Sequence, residues 1–163
     1  MEGGALFSQD HIYRWHLWRR WGADSVAALS VIMLNPSTAD EEKDDPTIRR
    51  VIGFAKREGY GGVYIANLFA LRATDPAELA RHPDPIGLEL NNQVMWGLAS
   101  DTYGSPVLAA WGAEPFAEPR AREVVATFKG RRQLVCLGST KSGAPKHPLY
   151  LRGDTPFQPF APA

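Results

Sequence analysis

The sequence predicts one α/β domain of three layers, in which helices cover both faces of a central, mainly parallel four-stranded sheet. Four short apolar runs alternate with helical segments, at about 30 residues per unit. Such units join parallel strands through right-handed crossovers. An N-terminal antiparallel hairpin strand completes the expected sheet. The domain spans residues 1–163, with a core at 11–152 and an irregular, proline-rich tail.

The composition is that of an ordinary globular protein, with 44% hydrophobic and 22% charged residues. The 18 basic and 18 acidic residues cancel, which argues against a protein that coats nucleic acid by bulk charge. No apolar run approaches the roughly 20 residues that span a bilayer, and no secretion signal precedes the domain. The single cysteine, Cys136, lies in an apolar run and is expected to be a buried thiol. These observations predict a cytoplasmic protein with no membrane contact.

Period-two alternation predicts the first strand, at residues 13–21, with aromatic side chains on one face and Arg14 and His16 on the other. A turn then leads to a second strand at 28–34, and we expect the two to pair as an antiparallel hairpin. The uninterrupted apolar run at 31–34 indicates a strand covered on both faces. The N-terminal tryptophans either pack against a helix or form an exposed surface for DNA or another partner.

Helix and strand signals then alternate along the chain. Asp45 is a predicted N-cap, with Pro46 in the first turn, and the glycines at 59–62 end that helix. The remaining predicted helices begin at Asp75 and span 88–100 and 119–129, and the remaining strands span 63–66, 106–111 and 133–137.

Ligands of parallel sheets bind beyond the carboxyl ends of the strands. The residues that follow each predicted strand are therefore the candidates: Asn35, Pro36, Ser37, Asn67, Phe69, Arg72, Gly112 and the loop from 138 to 147.

Two asparagines end apolar runs. The Asn35 amide, fixed by Pro36, has a donor and an acceptor for a water or a ligand edge. Its alternative is a turn in which the amide bonds its own backbone. Asn67, if buried, needs a partner for both polar atoms, and either the backbone or a bound nucleobase would supply one.

His147 lies in a loop stiffened by Pro145 and Pro148. A histidine held in this way donates to an oxygen that gains negative charge, although a surface histidine is the alternative. The other histidines have no metal-ligand spacing with it, so we predict no metal and no cofactor. Asp44 and Asp45 are a possible general base or, alternatively, solvated and helix-capping acids. No P-loop follows the first apolar strand, which excludes that class of nucleotide hydrolase.

Six motifs are distributed along the chain: Arg14-Trp-x-Leu-Trp-Arg, Met33-Leu-Asn-Pro-Ser-Thr-Ala-Asp40, Asp44-Asp-Pro-Thr-Ile-Arg49, Ala66-Asn-Leu-Phe-Ala-Leu-Arg72, Ala110-Trp-Gly112 and Lys146-His-Pro-Leu-Tyr-Leu151. Together they resemble DUF1643, a family of bacterial and phage proteins. The resemblance covers roughly residues 11–152 and implies little about function.

The motif order also resembles the uracil-DNA glycosylase superfamily. Met33-Leu-Asn-Pro-Ser37 is similar to that superfamily's Gly-x-Asn-Pro-Gly motif, with Met33 in place of the glycine. Asn67 matches an asparagine that reads the base edge, and Gly112 matches a glycine after the third strand. His147-Pro-Leu-Tyr150 partly matches a His-Pro-Ser-Pro motif, with Leu149 in place of the serine.

This resemblance implies a uracil-DNA glycosylase-like fold and hydrolysis of an N-glycosidic bond to a base in DNA. Asn35 would position the water and His147 would stabilise the departing base, while Asn67 would read its edge. Phe69 or Tyr150 would stack on the base. The implied substrate-binding residues are Pro36, Ser37, Asn67, Phe69, Arg72, Gly112, Lys146 and Tyr150, with Arg72, Lys141 and Lys146 near phosphates.

Two other classes stay open. One is a module that binds a nucleotide or nucleic acid without chemistry, and the other is a small-molecule hydrolase that uses Asp44 or Asp45. The expected partner is DNA or another ligand that contains a nucleobase. The sequence does not indicate an oligomeric state.

Overall fold

The structure, a computed structural model, describes residues 1–101 and 105–161. Its strands are β1 (Glu2–Phe7), β2 (Arg14–Arg20), β3 (Ala28–Met33), β4 (Gly62–Asn67), β5 (Val107–Ala109), β6 (Leu134–Cys136) and β7 (Gln158–Pro159). Its helices are α1 (Pro46–Arg57), α2 (Ala77–Arg81), α3 (Leu88–Ser100) and α4 (Glu118–Phe128), with a 3-10 turn at Pro115–Ala117 before α4. The α/β class predicted from the sequence is therefore confirmed.

The strands form one mixed sheet in the order β1-β2-β4-β3-β5-β6-β7. Strands β4, β3, β5 and β6 are neighbours and run parallel, while β1, β2 and β7 are antiparallel to the strands beside them. The sheet thus has seven strands, and the expected four-stranded sheet with one added hairpin strand was too small.

Alternate residues of the parallel strands form two apolar layers. Leu29 and Val31 of β3 pack with Ile48 and Val51 of α1 on one face. On the other face, Ile32 packs with residues of α3 and α4. Burial on both faces explains why these strands appear in the sequence as continuous apolar runs.

Helix α1 begins as predicted. The Asp45 side chain accepts a hydrogen bond from the Ile48 backbone N–H at 2.8 Å, and Pro46 occupies the first helical position. The cap therefore fixes the start of α1 beside the carboxyl ends of the parallel strands.

The predicted pairing of the first two strands was wrong. β2 pairs with β1 and β4, and β4 lies between β2 and β3 in the sheet. Residues 2–7, outside the expected core, supply the hairpin partner of β2. Two glycines in this short stretch weaken the strand pattern, which is why the sequence did not reveal it.

The C-terminal tail was also predicted incorrectly as wholly irregular. Gln158 and Pro159 form a short antiparallel strand against Val135 and Cys136 of β6. Cys136 is buried there and unoxidised, as expected. Among residues 1–101 and 105–161, no helix is long and apolar enough to cross a membrane.

Candidate functional site

The carboxyl ends of β4, β3, β5 and β6 meet along one edge of the sheet, which we call the carboxyl edge. Asn35 follows β3, Asn67 ends β4, Gly112 follows β5 and His147 lies in the loop after β6. The segment after β4 runs beside the segment after β3, since the Leu68 and Phe69 N–H groups donate to the Met33 and Leu34 carbonyls. The topology therefore brings the predicted site segments together.

The Asn35 amide joins two loops of this edge. Its Nδ2 donates to the carbonyl of Pro36 at 2.9 Å and to that of Ala73 at 2.8 Å. The Ala73 N–H in turn donates to the Pro36 carbonyl at 3.0 Å. Both amide hydrogens thus have a structural partner, which leaves Oδ1 as the acceptor available to a ligand or a water.

Asn67 is the least satisfied polar side chain of the edge. The residue is 1% exposed, yet neither Oδ1 nor Nδ2 has a hydrogen-bond partner among the described residues. Its alternation with Val63 and Ile65 places it on the α1 face of β4. A buried polar group without a partner costs about 1–3 kcal/mol, so a bound ligand or water that completes this amide is strongly favoured.

His147 has one nitrogen committed to its own loop. Its Nδ1 accepts a hydrogen bond from the Leu149 N–H at 3.3 Å, so the neutral ring carries its proton on Nε2. Burial lowers the pKa of His147, and the negative charge of Asp45 partly opposes that shift. A Cβ on Gly112, which has φ of +77°, would lie 3.7 Å from the His147 Cβ. The histidine therefore lies beside the turn that follows β5.

The two candidate acids have different surroundings. The Asp44 carboxylate forms an ion pair with the buried Arg19 at 2.9 Å. Asp45 caps α1 and also interacts electrostatically with both Arg14 and His147. Asp45 is thus the acid that lies among the predicted site residues.

The remaining predicted residues separate into core and surface. Phe69 is 5% exposed and packs against Phe116 in the apolar core, so it does not offer a free stacking face. Tyr150 is 91% exposed. Lys141 and Lys146 are exposed, and Pro36 is buried beside the half-buried Ser37. Among the described residues, no hydrogen bond connects the side chains of Asn35, Asn67 and His147.

Arg72 is partly buried at the same edge. Its guanidinium lies over the Phe7 ring at 5.0 Å and donates from Nη1 to the His11 carbonyl at 3.2 Å. Its Nε is buried and has no partner among the described residues.

Sequence patterning missed Arg14. This residue is 2% exposed, although the alternation assigned it to an open face. The β1–β2 register shifts between Leu6 and Phe7, so Arg14 and Trp15 are both buried at the irregularity. Burial lowers the pKa of Arg14 to about 10, with Asp45 opposing the shift. Its position directly before an aromatic residue at a strand end was the only sequence signal.

A pocket of about 240 Å³ opens at this edge on the α4 side of the sheet. Its lining includes Trp111, Gly112, Glu118, Pro145 and Phe160. A larger groove of about 1040 Å³ lies at the opposite edge, near Ala28 and Leu98, and none of the predicted site residues lines it. Within residues 1–101 and 105–161, no group of three or more histidine, cysteine or acidic side chains is arranged to hold a metal ion.

The fold and the site define an α/β protein with a polar cluster at the carboxyl edge of a mixed sheet. The chain belongs to DUF1643, a family described as a protein of unknown function, which matches residues 14–149. No curated protein and no solved structure matches the chain.

Proposed function

We propose that the carboxyl edge binds a nucleobase and that the protein hydrolyses the N-glycosidic bond of that base in DNA. The observation that carries this proposal is the buried Asn67 amide, which has a donor and an acceptor without partners. The edge of a nucleobase presents donors and acceptors side by side in one plane, which is the arrangement that such an amide satisfies.

His147 supports the chemical step. Because its Nδ1 accepts from the Leu149 N–H and its pKa is lowered, Nε2–H is the donor that a neutral ring presents. A fixed donor of this kind stabilises negative charge that develops on a base oxygen.

The reaction is a hydrolysis. The water oxygen bonds to C1′ of the sugar, and the C1′–N bond breaks with its electron pair on the base. One water proton leaves to solvent, and the departing base takes up a proton. Asn35 Oδ1 accepts a hydrogen bond from the water and orients it, since both amide hydrogens are held by carbonyls. This division of roles and the likeness to uracil-DNA glycosylases in motif order support each other.

Single-turnover assays on oligonucleotides that carry uracil, hydroxymethyluracil or another modified base test the proposal. We expect release of a free base by the wild type and a loss of about 10²–10³-fold in rate for His147→Gln. His82→Gln is the matched control, because His82 also precedes a proline and its Nδ1 accepts the N–H of Asp84 at 3.1 Å. The control is expected to keep the wild-type rate.

Absence of base release from every substrate by the wild type would remove the enzyme claim. If the oligonucleotides still bind and His147→Gln changes neither rate nor affinity, the protein is a binding module and not a hydrolase. The small-molecule alternative that uses Asp44 is disfavoured, because Arg19 already neutralises that carboxylate.

A further inference from the structure

Arg14 is a buried cation without an ion pair. Among the described residues, no carboxylate oxygen lies within 4.0 Å of its guanidinium, and Nε has no hydrogen-bond partner. Its one side-chain hydrogen bond runs from Nη1 to the Ala39 carbonyl at 2.7 Å. A charge removed from water in this way is costly unless a counter-charge reaches it.

The charged groups that face Arg14 do not supply a direct counter-charge. Asp45 and Asp40 attract it, while Arg72 and Arg19 repel it. Asp45 accepts from the Ile48 N–H, and Asp40 accepts from the N–H groups of Glu42 and Lys43. Both acids are therefore held by local backbone donors and not by Arg14.

A second unsatisfied guanidinium lies close by. The Nε of Arg72 is buried without a partner, and Arg72 is near enough to lower the pKa of Arg14. Two neighbouring guanidinium groups, each with an unused donor, match an anion with several oxygens, and phosphate is such an anion.

Arg14 also lies beside the segment that follows Asn67. Its backbone N–H donates to the Ala70 carbonyl at 2.9 Å, three residues beyond the unpartnered amide. The base-reading side chain and the two guanidinium groups thus share the edge between β2 and β4.

We propose that Arg14 and Arg72 bind a phosphate group of the ligand, so that the site takes a nucleotide and not a free base or nucleoside. This inference rests on the proposed function for the nature of the base. The phosphate is either the monoester of a mononucleotide or a diester of single-stranded DNA, and the chemistry at the guanidinium groups is shared.

Calorimetric titration of the full chain at low salt separates these cases. The probes are deoxyuridine, deoxyuridine 5′-monophosphate, a single-stranded pentanucleotide with one central uracil, and inorganic phosphate alone. We expect at least about tenfold tighter binding of one phosphorylated probe than of deoxyuridine. Arg14→Met is expected to remove that advantage while leaving the affinity for deoxyuridine unchanged.

Arg152→Met is the control, since it changes the net charge equally at an exposed residue that pairs with Asp154. It is expected to keep the advantage of the phosphorylated probe. Equal affinity for deoxyuridine and both phosphorylated probes overturns the inference, even if base release is observed. It is equally overturned if no phosphate-containing probe binds, or if Arg14→Met and Arg152→Met behave alike. Tighter binding of the monophosphate than of the pentanucleotide identifies a mononucleotide as the ligand, and the reverse identifies DNA.

Discussion

Two buried arginines lie at opposite edges of the sheet and differ in how their donors are used. Arg132 precedes β6, at the amino edge, where its guanidinium donates to the carbonyls of Ser105 and Leu98 and to the Ser30 hydroxyl. It also pairs with Asp101 at 3.5 Å. Arg14, at the carboxyl edge, has one side-chain hydrogen bond and no ion pair among the described residues.

The difference separates a structural role from a functional one. Arg132 ties β3, β6 and the end of α3 to the segment before β5, and its donors are consumed by the fold. Arg14 gains little from the fold in return for its desolvation. An arrangement that leaves a buried charge and a buried amide unsatisfied at the same edge is typical of a site that a ligand completes.

The largest expected effect contrasts these two arginines. Arg132→Met leaves two buried carbonyls and Asp101 without their cation, so we expect the free energy of unfolding to fall by about 2–5 kcal/mol. Arg14→Met removes a charge that the fold does not pair, and its unfolding free energy is expected to stay within about 1 kcal/mol of wild type or to rise. Urea denaturation measures both. A loss in Arg14→Met as large as that in Arg132→Met would show that Arg14 is structural.

A smaller effect is expected for two buried asparagines. Asn91 donates from Nδ2 to the carbonyls of Asn67 and Leu68, both at 3.1 Å, so Asn91→Leu should lower the unfolding free energy by about 1–3 kcal/mol. Asn67→Leu removes an amide that has no partner and should leave stability unchanged or raise it by up to about 2 kcal/mol. The same variant is expected to lose base binding. Thermal unfolding with and without an oligonucleotide ligand tests both statements, and destabilisation by Asn67→Leu would contradict the assignment.

The smallest effect is a pH dependence of stability. Burial lowers the pKa of His147 and His16 below the ordinary 6.5, and Arg14 lowers that of His16 further. Above about pH 6.5 both states are neutral and stability is complete. As the pH falls below 6.5, the unfolded chain binds the protons first, so the unfolding free energy falls, by at most about 1.4 kcal/mol per pH unit for each histidine.

Denaturation at pH 7.5 and 5.5, with His147→Gln for comparison, measures that loss. The variant is expected to show a shallower decline than wild type. Asp45→Asn is expected to lower the pKa of His147 further, which NMR titration of the imidazole detects. An upward shift in that variant would show that Asp45 does not face the histidine.

The parallel core and the start of α1 were predictable, because continuous apolar runs and an Asp-Pro cap depend on local sequence. Asn67 was also predictable, since a polar residue at the end of an apolar run is conspicuous. The outer strands were not, because β1 contains two glycines and β7 ends in proline. Arg14 was assigned to the wrong face because the irregularity in β2 depends on its pairing with β1, which alternation alone does not encode.

The position of β4 between β2 and β3 has a consequence for the order of assembly. The β1–β2 hairpin is made of neighbouring residues and touches the parallel strands of the sheet through β4 alone. A nascent chain that ends before residue 62 therefore has a hairpin and a separate β3 with no strand to join them. Since Arg14 belongs to the hairpin and Asn67 to β4, the docking of one upon the other is the event that creates the polar edge.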